Sequence, residues 1–195
     1  MCPSTRPQTS EADQFTFGVN VLGTLNVIRA FLPALRKAGD GARIVNVGSL
    51  SGVIASPGSA TYSASKFAIE GFTDSLRREV APFGISVSLL EPGYVTSSMG
   101  AKQYASEGPL HGVSKAAYEL YRPIFEGFFE DDRRESLPEN GDSPAHTTTA
   151  AITDAIVSRT PRTRYACAHA VGIPVSVLIW LNWLLPDRVI DVLVS

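Results

Sequence analysis

Tyr62 and Lys66 stand four positions apart in the stretch SATYSASKFAIEGF, residues 59–72, and the apolar period from Thr61 onward predicts that this stretch is helical. A free phenol has a pKa of about 10 and is a poor base at neutral pH. A neighbouring ammonium favours the ionised phenol and helps its oxygen to take or give a proton. Residues at i and i+4 of a helix lie about 5–6 Å apart at Cβ, which suits this coupling. Alone, the spacing is equally typical of two surface residues on an ordinary helix.

The elements around this pair alternate between helix and strand. An apolar period at steps of three and four predicts a helix before residue 37, which Ser10 and Asp13 would cap. The β-branched run RIVNV, residues 43–47, predicts a strand buried on both faces, and ISVSLLE, residues 85–91, predicts the next strand. Further helices are predicted over 113–130 and 147–159, with a short strand at TRYACA. This alternation predicts an α/β fold with a parallel sheet.

Topology predicts that three segments converge on one pocket. Ser49 lies in the loop after the first strand, residues 92–98 form the loop after the second, and Tyr62 opens the helix between them. Strands joined by right-handed crossovers end at a common edge of the sheet, where ligands of open α/β sheets bind. Ser49 could then hydrogen-bond a substrate oxygen opposite the phenol.

Several motifs in order resemble the short-chain dehydrogenase/reductase family. They are VNVGSLSG, TYSASKFAIEGFTDSLRREV and LLEPGYVTSSM, and the resemblance runs from about residue 11 to 100. It implies a Rossmann-like, doubly wound parallel sheet and a catalytic group of Asn20, Ser49, Tyr62 and Lys66. Tyr62 would be the general acid/base, Ser49 would position the substrate oxygen, and Asn20 would fix a water that relays protons to Lys66.

The resemblance also implies a nicotinamide cofactor, NAD or NADP. Lys66 would favour the ionised phenol of Tyr62 and hold the nicotinamide ribose, while Pro92, Gly93, Val95 and Ser97 would line the nicotinamide. Ser97 stands where the family commonly has threonine. Simpler roles remain open: Asn20 as a solvated helix residue, Ser49 as a cap, and Pro92 and Gly93 as turn residues. GSLSG is not a hydrolase elbow, because its middle residue is leucine.

The family's glycine-rich phosphate loop has no counterpart in the sequence. The nearest text, GDGARI at 39–44, lacks the third glycine and precedes a strand instead of following one. Relative to the family, the chain resembles the catalytic half without its first strands, a partial Rossmann-like sheet with extra carboxyl-terminal helices. We therefore expect impaired cofactor binding, since the pyrophosphate would lack its backbone N–H donors. We also expect RIVNV to form an apolar sheet edge prone to association.

Composition excludes several other classes. Net charge is −2 with a pI of about 5.9, which gives no basic field for nucleic acid. The two cysteines form neither a disulfide framework nor a CxxC pair, and the three histidines show no ligand spacing, so we expect no metal site. The first residues hold no apolar run of the kind a secretory signal has, so a cytoplasmic location is expected.

Three regions are predicted: a loose arm at 1–9, the catalytic domain at 10–170, and an apolar helical tail at 171–195 packed on it. The run 171–186 is too short to span a bilayer, so it is predicted to be buried or to cover the substrate, with contact to a membrane surface as the alternative. The tail resembles family members that act on retinoids or hydroxysteroids, which implies an apolar alcohol or ketone substrate. The competing hypothesis is an inactive remnant that binds related subunits, because the family commonly dimerises through the helices at 11–38 and 61–81.

Overall fold

The computed structural model describes residues 10–57, 59–95, 119 and 143–194. Its helices are α1 (Ser10–Phe17), α2 (Thr24–Ala38), α3 (Ala60–Val80), α4 (His146–Val157), α5 (Val175–Leu184) and α6 (Asp187–Val194). A π-helical segment (Gly18–Gly23) joins α1 to α2, and 3₁₀ turns occupy Leu50–Gly52 and Ala81–Phe83. The strands are β1 (Arg43–Val47), β2 (Ser86–Pro92), β3 (Arg164–Cys167), β4 (His169–Ala170) and β5 (Ile173–Pro174).

The central sheet is parallel, with the order β1–β2–β3, which confirms the predicted α/β class. Two apolar clusters cover its faces, so the sheet is wound on both sides. Ile28 of α2 and Leu76 of α3 pack with Ile44 and Val87 on one face. On the other face, Ala155 of α4 packs with Leu90. Helices on both faces are what crossover connections between parallel strands produce.

Strand β1 is an edge of this sheet within the described part of the chain, as the sequence predicts. It is not buried on both faces, however: Ile44 and Asn46 are buried, while Arg43 and Val45 are only partly covered and Val47 is exposed. The difference arises because Ile44 lies inside the apolar cluster that α2 and α3 cover, whereas the cluster under α4 buries Val45 only in part.

The helices that carry the predicted site are joined by polar contacts as well as by packing. Asp13, predicted to cap the first helix, accepts a hydrogen bond from the Thr61 hydroxyl at 2.6 Å and so ties α1 to the start of α3. The helix α2 ends at Ala38, and Gly39 caps it with a φ of 66°, a positive value that glycine tolerates. Gly39 and the loop after it lead into the amino end of β1, away from Ser49.

The tail contacts the domain along one side. Residues 171–174 belong to a β4–β5 turn and strand, so helix α5 begins only at Val175, which is buried. The Asn182 amide donates to the Val53 carbonyl at 3.4 Å. Trp180 and Trp183 point away from these contacts and are 65% and 85% exposed. The predicted helix at 113–130 lies outside the described residues, apart from Glu119.

Candidate active site

The Lys66 ammonium links the phenol-bearing helix to the end of β1. Its Nζ donates to the Val47 carbonyl at 3.2 Å and lies 5.6 Å from the centroid of the Tyr62 ring. Burial lowers the pKa of Lys66 from its ordinary value. Tyr62 is 37% exposed, so its ring is accessible to a ligand. The neighbouring Lys66 ammonium is fixed by its hydrogen bond to the Val47 carbonyl.

Ser49 follows β1 and caps the short 3₁₀ turn. Its backbone is extended, and its Oγ accepts a hydrogen bond from the Ser51 N–H at 3.1 Å. A hydroxyl carries one donor and two acceptor sites, so this contact leaves the O–H group available to donate. Ser49 is flanked by Val47, which receives the Lys66 hydrogen bond, and by Gly52, where an added Cβ would lie 3.1 Å from the Lys66 carbonyl oxygen. The Ser49 segment, residues 47–52, therefore lies close to Lys66 both before and after Ser49.

Asn20 lies in the π-helical segment and contacts α3 through a serine. Its amide donates to Ser65 Oγ at 3.0 Å, and the Ser65 hydroxyl donates to the Tyr62 carbonyl at 2.6 Å. Ser65 is fully buried. Sequence reasoning missed it, although a hydroxyl on the buried side of the helix between Tyr62 and Lys66 was the available signal. The water relay from Asn20 to Lys66 stays a prediction.

The loop after β2 is fixed by backbone contacts. The Gly93 N–H donates to the Cys167 carbonyl at 3.0 Å, and the Tyr94 N–H donates to the His169 carbonyl at 2.8 Å. A Cβ on Gly93 would collide with that same carbonyl, so the position needs glycine. Val95 forms an isolated bridge with Ser143. The loop thus leaves the same edge of the sheet as Ser49, as predicted.

Ser97 lies outside the described residues. The roles assigned to Pro92, Gly93 and Val95 in lining a nicotinamide therefore stay predictions, as does the absence of a metal site.

A cluster of charged side chains lies one to two turns further along α3. The Arg164 guanidinium on β3 contacts the carboxylates of Glu70 and Asp74, both on α3, and of Glu91 on β2. Arg77 also contacts Asp74, at 3.2 Å. Sequence reasoning missed this cluster, because the arginine and its α3 partners are about ninety positions apart.

Burial is the largest influence on the carboxylates of this cluster. It raises the pKa of Glu70 to about 7, an effect that the Arg164 hydrogen bond only partly offsets and that the Glu91 charge reinforces. Burial likewise raises the pKa of Glu91, against the opposing charge of Arg164. One oxygen of Glu70, Oε1, is buried without a hydrogen-bond partner, which accounts for the weak stabilisation of its charged form.

The fold and the site define a Rossmann-like α/β domain with a Tyr–Lys pair beside the end of a parallel strand. Residues 3–108 match the family model described as short chain dehydrogenase. The chain is 32% identical over 196 residues to retinol dehydrogenase 5 of Mus musculus, covering 96% of this chain and 58% of that protein. It is 37% identical over 170 residues to 17-beta-hydroxysteroid dehydrogenase type 6 of Bos taurus, covering 84% and 52%.

Among solved structures, a short-chain dehydrogenase from Streptomyces avermitilis matches with a TM-score of 0.61 and 27% identity, over 94% of this chain and 59% of that one. The chain belongs to the short-chain dehydrogenase family. It spans about half the length of the curated relatives it matches.

Proposed function

We propose that this chain carries the proton-transfer centre of a nicotinamide-dependent alcohol/carbonyl oxidoreductase. The observation that supports this most directly is the Lys66 ammonium, which lies between the Tyr62 ring and the Val47 carbonyl, two residues before Ser49. An ammonium held at that point places a positive charge next to a phenol that could exchange a proton with a substrate oxygen.

The donors of the site fit a nicotinamide nucleoside. An ammonium has three N–H donors, and among the described residues Lys66 uses one of them on Val47, which leaves donors for ribose hydroxyls. A reduced nicotinamide held there would supply a hydride to the carbonyl carbon of the substrate. Ser49 then donates a hydrogen bond to the carbonyl oxygen, Tyr62 Oη delivers its proton there, and the product is an alcohol. Oxidation runs the same steps backwards.

The fit between the described residues and a nicotinamide cofactor does not include the cofactor's pyrophosphate. The GDGA turn, the nearest glycine-rich sequence, precedes β1 and lies at the opposite end of that strand from Ser49. It offers no helix N-terminus at the site edge. We therefore propose that this chain alone binds NAD or NADP weakly. Titration of cofactor fluorescence is the measurement, and micromolar affinity of a pure monomer would contradict the proposal.

Reduction of acetophenone by NADH or NADPH, compared in wild type and Tyr62→Phe, tests the catalytic assignment. We expect Tyr62→Phe to lower turnover by about 100-fold or more, because it removes the proton donor without changing the ring. Tyr165→Phe makes the same chemical change far along the sheet, where the hydroxyl contacts Asp154, and should retain turnover if circular dichroism shows a folded protein. Equal turnover in wild type and Tyr62→Phe would refute the role of Tyr62.

The substrate we propose is an apolar alcohol or ketone. Support comes from relatives named as retinol and 17-beta-hydroxysteroid dehydrogenases, together with the apolar helix α5 whose Asn182 reaches the loop after Ser49. Turnover of a retinoid or a ketosteroid should exceed that of a short polar ketone such as acetoacetate. The reverse preference would remove the argument for an apolar pocket.

A second candidate function, pairing with related subunits, has its own observation. Helices α1 to α3 and the π-helical segment between α1 and α2 expose large apolar side chains: Phe15, Val19, Leu22, Val27, Phe31 and Phe67. Contiguous exposed apolar surface is typical of an interaction site. We propose that the helices at 11–38 and 61–81 form a homodimer, or join an intact relative if the wild type has no turnover.

For location we propose the cytoplasm, with contact to a membrane surface through 171–186 as the alternative. The stretch Ser10–Ala38 is long and apolar enough to cross a bilayer by length and composition. Two polar residues of this stretch already contact the domain, however, because Asp13 and Asn20 form hydrogen bonds with α3. The exposed tryptophans of α5 are the better membrane candidates, because tryptophan favours the bilayer interface.

A further inference from the structure

We propose that Glu70, held by Arg164, is a positioning residue that fixes the Ser49 segment against the Lys66 turn of α3. This inference rests on the proposed function, and it assigns a role to two residues that take no part in proton transfer.

The Glu70 side chain lies under both ends of the Ser49 segment. A Cβ built on Gly48 would be 3.3 Å from Glu70 Oε1, and a Cβ built on Gly52 would be 3.2 Å from Glu70 Cγ. Gly48 immediately precedes Ser49, and Gly52 ends the turn that Ser49 caps. The side chain of Glu70 thus lies next to the segment at both ends, in space that the glycines at 48 and 52 leave free.

Arg164 fixes this side chain from the neighbouring strand. Its Nη1 donates both to Glu70 Oε2 and, at 3.1 Å, to Glu91 Oε1, while its Nη2 lies 3.0 Å from Asp74 Oδ2. Glu91 belongs to β2 and is buried, so the guanidinium connects α3, β2 and β3 at one point. A planar guanidinium can contact three carboxylates from fixed directions, which a single ammonium cannot do in the same geometry.

Loss of the Glu70 side chain would loosen the contacts on which the site depends. Lys66 lies one helical turn before Glu70, and its ammonium reaches Val47 at the start of the same segment. With the support removed, the segment from Val47 to Gly52 can move away from α3 and admit water to Lys66. The displacement would also move Ser49 relative to Tyr62, and misplacement of a catalytic group by about 1 Å can cost about 100-fold in rate.

The test compares Glu70→Ala, Glu70→Gln and Glu79→Ala. Glu79 is the same residue type on the same helix but is exposed, and glutamine keeps the shape of Glu70 and can still accept from Arg164. The first readout is the titration midpoint of Lys66, followed by the ¹³C signal of the reductively dimethylated side chain in the full chain. Lys66→Arg assigns the signal, because the sequence holds only three other lysines.

In Glu70→Ala we expect the midpoint of Lys66 to rise toward its ordinary value of 10.5, by about half a pH unit or more as water reaches the amine. Glu70→Gln and Glu79→Ala should leave it unchanged. Simple loss of a nearby negative charge predicts the opposite, a lower midpoint in both Glu70 variants. An unchanged or lower midpoint in a folded Glu70→Ala protein would overturn the proposal.

The second readout is turnover of acetophenone, which should fall about 10- to 100-fold in Glu70→Ala with little change in the KM for NADH. If wild type has no turnover, the proposed function fails while the Lys66 titration still decides the positioning role. If Glu70→Ala does not fold, the Lys66 titration is measured in Arg164→Lys instead. It keeps the charge but cannot hold all three carboxylates, so a rise in the Lys66 midpoint supports the proposal and an unchanged midpoint refutes it.

Discussion

Replacing Glu70 by glutamine should change how the stability of this protein depends on pH. The carboxyl has a pKa of about 7 in the folded chain against an ordinary value of 4.5, with burial as the largest cause. Between these values the folded state holds a proton that the unfolded state has released. The free energy of unfolding contributed by Glu70 is therefore full below about pH 4.5 and is lost as the pH rises through about 7.

The magnitude follows from the difference between the two values. At about 1.36 kcal/mol for each pH unit, a difference of about 2.5 gives an upper limit of about 3 kcal/mol. The Glu70 side chain is only 13% exposed, so solvent screening reduces this limit modestly. Water entry and movement of Arg164 reduce it further, and we expect about 1–2 kcal/mol. Glutamine cannot titrate, so the variant should lack this contribution at every pH.

Urea unfolding followed by far-ultraviolet circular dichroism, from about pH 5 to about pH 8, measures the effect in both proteins. The unfolding free energy of wild type minus that of Glu70→Gln should fall by about 1–2 kcal/mol over this range. Asp74 and Glu91 titrate in both proteins, so they cancel to first order in the difference. Glu79→Gln, an exposed position on the same helix, should give a constant difference. A difference for Glu70→Gln that stays flat or rises with pH would refute the reasoning.

Three further predictions test the sheet, the proposed dimer and the tail. In Gly48→Ala the new Cβ would lie 2.9 Å from a backbone carbonyl of β2, so thermal unfolding should show a loss of about 1–3 kcal/mol. Gly71→Ala, with nothing within 4 Å of the new carbon, should instead be neutral or stabilising by up to about 1 kcal/mol; equal losses would contradict the packing argument. Phe31→Glu should convert a dimer to monomer in light scattering, whereas Phe83→Glu, outside the two helices, should not. Under the membrane alternative, phosphatidylcholine vesicles should shift the emission of the two tryptophans, both in α5, to shorter wavelength; unchanged emission would remove that alternative.

The part of the fold that the sequence predicts well is the part with a strong local signal. RIVNV is a strand over the predicted residues, and the helix from Ala60 keeps the apolar period that predicts it. These elements succeed because each pattern reflects burial of one side of a single segment. Proximity of Lys66 to the end of β1 also follows from the sequence, because a crossover helix and the strand before it share an edge of the sheet.

Contacts between segments that are far apart in the chain have no such local sequence signal. Asp13 has the spacing of a capping residue, and its carboxylate also accepts a hydrogen bond from Thr61, which no local pattern predicts. The resemblance implies that Asn20 acts through water on Lys66, which stays a prediction, while the partner that the structure shows is the buried hydroxyl of Ser65. In each case a short polar side chain satisfies a group on another helix, and which partner it finds depends on how the helices pack.

Glu70 and Arg164 show why the environment of a site is harder to predict than its reacting groups. Tyr62 and Lys66 are recognisable because the proposed proton transfer requires a fixed spacing along one helix. A supporting carboxylate requires only a position in space, and its partner can come from any strand that passes nearby. Burial of Glu70 costs free energy, and only the structure shows this cost. Its Oε1 has no hydrogen-bond partner, and burial raises the pKa of the carboxyl. The Glu70 side chain that bears this cost lies next to the segment that carries Ser49, which is where the proposed positioning role would act.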